Sequence, residues 1–277
     1  IDDGSDDTTP QIGQDLQRSG HIDKFFRMTE RGGKASAANY GVAHAKGKYI
    51  IHLDADSSLD RDAIEKILLP FYYDRKIKAV GGCVKVRNAD ASLCASMQAL
   101  EYLRSIQVGR MVTSKLGLYH IISGAFGAFD TEILREVGGW DIGPGLDGDI
   151  TQKFRKAGYK VHFAEDAICM TNVPVKSLVR FRIRKHKDIL WCNRNFSFLN
   201  MLSNAENILY DCVFNYVWLF YMITLIFANT DRLLEILIVG WIIRFSFSVV
   251  AFIVMQCISE RAREERKLGA FLMLHTF

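Results

Sequence analysis

Apolar and polar residues are distributed differently along the two parts of this 277-residue chain. Charged residues occur throughout residues 1–187, whereas apolar residues run almost unbroken from about residue 208 onward. Apolar runs of about 20 residues are long enough to cross a lipid bilayer. The pattern therefore predicts a globular domain over residues 1–175, a basic interface segment over 176–207 and a membrane region over 208–277.

Within the globular domain, two β-rich runs flank a helical pattern. Residues 48–53 (KYIIHL) and 79–86 (AVGGCVKV) have the composition of strands, and residues 61–72 repeat apolar side chains at helical spacing. Strands that alternate with amphipathic helices predict an α/β fold with a mostly parallel sheet. Ligands of such sheets bind beyond the carboxyl ends of the strands.

The membrane region contains two predicted spans, residues 208–228 and 233–258, and the start of a third at residue 271. Asp211 and Arg244 lie inside these spans, where charges are costly in lipid. The alternative is a buried helical hairpin of a soluble protein. We expect instead that the two charges face the interior of a helix bundle or an aqueous channel.

Charge and cysteine usage narrow the class of protein. Basic clusters at residues 176–187 and 261–267 lie on one side of the predicted spans, which predicts a multi-pass protein of the inner (plasma) membrane with a cytoplasmic globular domain. The net charge of +4 is too small over this length to indicate a nucleic-acid partner. Six cysteines without a C-x-x-C pair indicate reduced thiols rather than a zinc site or disulfide framework.

Pairs of acidic residues follow strand-like positions at two places. Asp2 and Asp3 come directly after Ile1, and because no strand precedes them we expect the chain to begin inside a domain. Asp54 and Asp56 follow the strand at 48–53. Two carboxylates one residue apart can share Mg²⁺ or Mn²⁺ with phosphate oxygens. A D-x-D pattern also occurs by chance in loops, but its place at a strand end favours a metal site.

A glycine pair and a lysine, Gly32, Gly33 and Lys34, precede a run of small residues that predicts the start of a helix. Backbone N–H groups and a positive charge at a helix start favour a diphosphate. The spacing is not that of a Walker loop. An ordinary glycine turn before a helix is the alternative.

A second acidic group, Asp147 and Asp149, lies well down the chain after the G-G-W-D run at residues 138–141. One of these carboxylates could take the proton from an attacking hydroxyl, while a metal at the D-x-D motif stabilises charge on a departing diphosphate. For Asp149 the alternative role is the cap of a helix over residues 151–157.

Taken in order, these motifs resemble the processive glycosyltransferases of family 2, which include cellulose, chitin, hyaluronan and poly-N-acetylglucosamine synthases. The resemblance covers about residues 1–174 and includes an S-G-A-F-G-A-F run at 123–129. Glu101 and Tyr102, followed by Gly109 and Arg110, are similar to the poly-N-acetylglucosamine branch.

The resemblance implies an α/β nucleotide-sugar domain of the glycosyltransferase A type, with a Rossmann-like mixed sheet, followed by membrane helices. It implies inverting, processive transfer from a UDP-sugar to a growing β-linked polysaccharide, with Mg²⁺ or Mn²⁺ as cofactor. UDP-N-acetylglucosamine is favoured and UDP-glucose comes next. The partners implied are the donor, the polysaccharide acceptor, the lipid bilayer and an accessory export subunit.

The resemblance also assigns roles on the donor side of the site. Asp2 and Asp3 are expected to contact the uridine and Lys34 the diphosphate. Asp54 is expected to contact the nucleotide and, with Asp56, to hold the metal.

On the acceptor side, the resemblance implies that Asp147 is the catalytic base. Ser123, Gly124 and Phe126 are expected to line the acceptor sugar, and Trp140 to stack near it.

Three departures from the family pattern affect the prediction, and one of them is that the first strand of the nucleotide-binding sheet is expected to be missing before Ile1. The T-E-D triplet appears at residues 145–147 with Leu146 in place of the glutamate, and the Q-x-x-R-W motif has no good match. The nearest candidate puts Arg184 in the arginine position, as a clamp on diphosphate and acceptor. The motif has either diverged or lost a segment near Pro174.

Two other functions remain open. One is transfer of a single sugar to a lipid phosphate, and the other is a non-catalytic nucleotide-sugar-binding membrane subunit. Retention of Asp54, Asp56 and Asp147 together favours an enzyme.

Overall fold

The computed structural model describes residues 1–119, 121–141, 146–173, 215–228 and 230–275. The strands are β1 (Tyr49–Leu53), β2 (Ser58–Leu59), β3 (Ile77–Val86), β4 (Phe126–Asp130) and β5 (Lys160–Thr171). The helices before and between them are α1 (Thr9–Arg18), α2 (Gly33–His44), α3 (Ala63–Tyr73), α4 (Leu93–Tyr102), α5 (Arg110–Lys115), α6 (Thr131–Glu136) and α7 (Leu146–Lys156). A π-helical stretch, Leu103–Gly109, joins α4 to α5.

The five strands form one mixed sheet in the order β1-β4-β3-β5-β2. Only β3 and β5 run parallel, and the other three pairs are antiparallel. The prediction of a mostly parallel sheet is therefore wrong, whereas the mixed sheet implied by the family resemblance is confirmed. Between β3 and β4 the chain returns to the end of the sheet at which β3 ends. Strand β4 starts from that end and therefore runs antiparallel to β3.

The predicted strands at 48–53 and 79–86 and the helix at 61–72 correspond to β1, β3 and α3. Strand β3 is buried on both faces along nearly its whole length. One face packs with α3 around Ile67 and Phe126, and the other packs with α7 around Phe154. Because both faces of β3 are covered, residues 79–86 form an apolar run and do not alternate between apolar and polar side chains.

After residue 173 the described chain resumes with two apolar helices, α8 (Asn215–Ala228) and α9 (Thr230–Ile258). Over Arg232–Ile258, α9 is long and apolar enough to cross a membrane, and it is the single such helix among the described residues. The helix α8 is shorter than a span, and residues 208–214 of the predicted first span lie outside the described residues. Arg244 lies exposed on α9.

Beyond α9 the chain folds back onto the globular domain. The segment consists of α10 (Ala262–Glu265), a 3₁₀ stretch (Arg266–Phe271) and a one-turn helix, α11 (Leu272–His275). Its Leu268 is buried in a cluster with residues of α4 and α9. The predicted start of a third span at residue 271 falls on this short helix.

The glycine at position 82 of β3 generates a stability prediction. A Cβ placed on Gly82 would overlap the ring of Phe126 on the neighbouring strand and lie 3.0 Å from the carbonyl oxygen of Ala167. We expect Gly82→Ala to destabilise the fold by about 1–3 kcal/mol, since overpacked cores must shift backbone or rotamers.

Gly240→Ala in α9 is the matched control, because among the described residues an added Cβ there meets no atom within 4 Å outside its own helical turn. The measurement is thermal unfolding of the detergent-solubilised chain. Equal melting temperatures for the two variants would contradict the tight packing of β3 against β4.

Candidate functional site

The D-x-D motif forms a turn at the carboxyl end of β1. The backbone N–H of Ser57 donates to the Asp54 carbonyl over 3.0 Å, which closes the turn. The N–H of Asp54 donates to the Ala125 carbonyl over 3.2 Å. The turn is therefore tied to the loop that precedes β4, the loop predicted to line the acceptor.

Lys34 joins three parts of the site. It lies in the first turn of α2, and its Nζ is 2.6 Å from Oδ1 of Asp54. The same ammonium lies 3.3 Å from the Gly124 carbonyl oxygen. The predicted diphosphate residue, the D-x-D turn and the acceptor loop thus meet at one positive charge.

Asp147 lies against the same loop. Its carboxylate is so close to Gly124 that a Cβ on this glycine would overlap Oδ1 of Asp147. The helix α7 begins at Leu146, so the predicted helix start at 151 is wrong and Asp149 lies within the first turn instead of capping it. Carboxylates in a first turn are stabilised by the partial positive charge of the helix N-terminus.

Thr151 fixes α7 relative to the acceptor loop. Its hydroxyl donates to the Asp147 carbonyl over 2.6 Å and accepts from the Ile122 N–H over 2.9 Å. Thr151 is fully buried. The position of Asp147 beside Gly124 is therefore set by a buried hydrogen-bonded link between helix and loop.

His52 of β1 is a site residue that sequence reasoning missed. Its ring packs 5.4 Å from that of Trp140, and the charges of Lys34, Asp54 and Asp147 act on it. Burial, and next the Lys34 ammonium, lower the pKa of His52, so the imidazole is neutral at pH 7. The sequence feature that could have identified His52 is its position as a polar residue in an otherwise apolar strand, two residues before the D-x-D motif.

Asp3 caps the glycine turn before α2. Its two carboxylate oxygens accept the backbone N–H groups of Gly32 and Gly33 over 2.9 and 2.8 Å. Asp2 differs, because its side chain is 2% exposed and accepts hydrogen bonds from the N–H and hydroxyl of Ser5. The hydrogen bond from Ser5 lowers the pKa of Asp2. The prediction that Asp2 contacts uridine is corrected, since its carboxylate is buried within its own turn.

Two of the predicted acceptor contacts lie in the core. Phe126 is fully buried in the sheet. Trp140 is buried edge-on to Phe129, with ring centroids 5.4 Å apart. Because both rings are buried in the core, neither has an open face for a sugar. Their predicted contacts with the acceptor sugar are therefore corrected to a supporting role in the core. Ser123 and Gly124 lie in the loop itself, with Ser123 half-buried.

The carboxylates fit a divalent cation. Asp56 is exposed, and its Oδ1 accepts only long hydrogen bonds from the hydroxyls of Ser57 and Thr171, at 3.3 and 3.5 Å. Among the described residues no group of three or more His, Cys, Asp or Glu side chains could hold a metal ion. Oxygen donors from Asp54 and Asp56 suit Mg²⁺ or Mn²⁺, and the remaining coordination positions of the metal are left for a diphosphate.

Arg184 and the segment 176–207 lie outside the described residues.

The arrangement of a mixed sheet, a D-x-D turn beyond its edge strand and a second acid at a helix start defines a glycosyltransferase A-like fold. A solved structure with this fold is the mannosyltransferase PcManGT from Pyrobaculum calidifontis, in complex with GDP-Man and Mn²⁺. It is 22% identical, with a TM-score of 0.67 over 99% of this chain and 74% of that chain.

Sequence comparison establishes the family. The family described as glycosyl transferase family group 2 matches residues 49–258, and this chain belongs to it. A poly-β-1,6-N-acetyl-D-glucosamine synthase of Staphylococcus epidermidis is 32% identical over 187 residues, which cover 66% of this chain and 45% of that protein. The corresponding synthase of Staphylococcus aureus is 31% identical over 63% of this chain and 42% of that protein. The chain thus spans less than half the length of these relatives.

The contact between Gly124 and Asp147 generates a prediction about catalysis. If Asp147 is the base, as predicted, we expect Gly124→Ala to lower the rate of sugar transfer by about 10²-fold or more, because the added methyl would displace the Asp147 carboxylate. The measurement is release of nucleoside diphosphate by the membrane-bound chain.

A double variant distinguishes this cause from general disruption. If Gly124→Ala acts through Asp147, combining it with Asp147→Asn lowers the rate little further than either change alone. Strictly multiplicative losses would show that the two residues act independently.

Proposed function

We propose that this chain is the catalytic part of a metal-dependent, inverting glycosyltransferase that extends a β-linked polysaccharide from a UDP-sugar. The observation that carries the proposal is the convergence of Lys34, Asp54 and Asp147 on the Gly124 loop. A diphosphate ligand, a metal ligand and a candidate base are needed together for this chemistry.

On the donor side, Lys34 contacts the diphosphate and Asp3 the nucleoside. Asp54 and Asp56 would hold Mg²⁺ or Mn²⁺, and the metal would stabilise negative charge on the departing diphosphate. The ion pair between Lys34 and Asp54 is partly exposed, with side chains 44% and 34% accessible. Exposed pairs contribute only about 0–1 kcal/mol, so Lys34 exchanges its partner for a phosphate oxygen at little cost.

On the acceptor side, Asp147 takes the proton from the attacking hydroxyl. Inversion in a single displacement requires the acceptor to attack from the face opposite the leaving diphosphate, and one carboxylate is sufficient as base. Ser123 and Gly124 orient the acceptor sugar. The ring of His52 packs against Trp140 and is neutral at pH 7, so it adds no charge to the site.

The sugar is proposed from the relatives. Both staphylococcal proteins are poly-β-1,6-N-acetyl-D-glucosamine synthases. We therefore propose UDP-N-acetylglucosamine as donor and UDP-glucose as the next candidate. Processive transfer and an accessory export subunit belong to the same proposal.

The location is proposed from charge and hydropathy. The helix α9 is long and apolar enough to cross a membrane. Basic clusters at 176–187 and 261–267 favour a cytoplasmic globular domain on a multi-pass protein of the plasma membrane. Nucleotide sugars are then supplied from the cytoplasm.

The decisive experiment incubates purified membranes carrying the chain with a panel of UDP-sugars. We expect UDP release and a polymer with UDP-N-acetylglucosamine, digested by hydrolases specific for one β-linkage. If the product is instead a single sugar on a lipid phosphate, the chain is a lipid glycosyltransferase and not a polymerase. If UDP binds but no sugar is transferred, the chain is a non-catalytic binding subunit.

Asp147→Asn tests the base. The amide keeps the shape of the side chain but accepts no proton, so we expect UDP-sugar binding close to the parent's and a rate lower by about 10²–10⁴-fold. The matched control is Asp149→Asn in the same turn, which should lose stability more than rate. The assignment of Asp147 is wrong if its variant polymerises at the parent's rate.

Asp56→Ala tests the metal site. Removal of an exposed carboxylate should leave folding and membrane insertion intact but abolish transfer at every practical Mg²⁺ or Mn²⁺ concentration. Asp15→Ala, which removes another exposed carboxylate, on α1, is the control. Titration of activity against Mn²⁺ is the measurement, and full activity of Asp56→Ala would identify the D-x-D pattern as a chance match.

A further inference from the structure

The chain that follows α9 is fastened to the globular domain by ion pairs. We define residues 259–268 as the strap. Four of its side chains pair with acids or lysines far away in the sequence, which are Glu260 with Lys66, Arg261 with Asp60, Glu265 with Lys85, and Lys267 with Asp90. The strap therefore fixes the end of α9 to the globular domain through charge.

One of these pairs holds the strand next to the D-x-D turn. A terminal nitrogen of Arg261 donates to both carboxylate oxygens of Asp60, over 2.7 and 2.9 Å. Both side chains are half-buried, at 30% and 23% exposure. Charge-assisted hydrogen bonds of this kind are about twice as strong as neutral ones and restrict geometry.

Strand β2 needs such support. It has two residues, Ser58 and Leu59, pairs with β5 alone and lies at an edge of the sheet. Asp60 follows it directly and Asp56 precedes it by two positions. The turn that carries Asp54 and Asp56 is thus held by β1 on one side and by this short strand on the other.

The strap itself is anchored on both sides of Arg261. Lys85, at the carboxyl end of β3, donates to the Ser259 hydroxyl over 2.8 Å and to Glu265 over 2.6 Å. Lys85 and Glu265 are both buried. A partly open pocket of about 110 Å³ lies beside Arg261 and Glu265.

We propose that Arg261 is a positioning residue for the metal-binding turn, acting through Asp60 and β2. The inference rests on the proposed function, since it assigns a metal to Asp54 and Asp56. Its consequence is that metal and nucleotide binding depend on the docking of the segment that ends the apolar helix α9.

The test compares Arg261→Gln with Lys267→Gln in the full membrane-inserted chain. Both changes remove one positive charge from the strap, but Lys267 pairs with Asp90, away from β2. We measure the Mn²⁺ concentration required for half-maximal binding of UDP, and separately for half-maximal transfer.

We expect Arg261→Gln to raise the required Mn²⁺ concentration by about tenfold, as the loss of one charge-assisted hydrogen-bonded pair implies. Lys267→Gln should stay close to the parent. Arg261→Lys, which keeps the charge but not the paired geometry, should fall between them. The exchanged pair Arg261→Asp with Asp60→Arg should recover part of the loss.

Thermal unfolding of each variant separates positioning from general stability. The inference is overturned if Arg261→Gln and Lys267→Gln require the same Mn²⁺ concentration, or if Arg261→Gln lowers the melting temperature without changing that concentration. If the parent itself binds UDP without any dependence on Mn²⁺, the proposed function fails instead.

Discussion

The contact of the Lys34 ammonium with Asp54 and Gly124 is the interaction on which the site depends. It joins the start of α2, the end of β1 and the loop before β4, which are distant in the sequence. Asp147 lies against the same loop, so the ammonium also stabilises a group of carboxylates that would otherwise repel one another. Because the ion pair is partly exposed, the charge that assembles the site is also available to an anionic donor.

The sheet explains why the acids meet where they do. Strand β1 lies at one edge and β2 at the other, so the D-x-D turn passes across the strands between them. Gly81 and Gly82 in β3 leave room for Tyr119 and Phe126, which press on this buried strand. The rings predicted to bind sugar are used instead to support the sheet beneath the turn. The groups that remain at the surface for contacts with ligand are backbone atoms and small or charged side chains.

The motifs, together with the family resemblance, predicted Lys34, Asp54 and Asp147 as parts of one site, and the structure brings all three to the loop that contains Gly124. Burial was harder to predict. Asp2 and Trp140 belong to motifs, but the motif pattern does not distinguish a side chain that contacts ligand from one that supports the loop. His52 was missed because a single polar residue in a strand resembles ordinary alternation. Strand direction depended on the path of residues 93–125, which local periodicity does not specify.

The strap places the site relative to the apolar helix. Lys85 lies at the carboxyl end of β3, and its partner Glu265 follows α9 by seven residues in the sequence. The D-x-D turn continues through β2 to Asp60, which Arg261 of the same strap contacts. The turn that carries the candidate metal ligands is therefore connected to the end of α9 through β2 and the contact between Asp60 and Arg261.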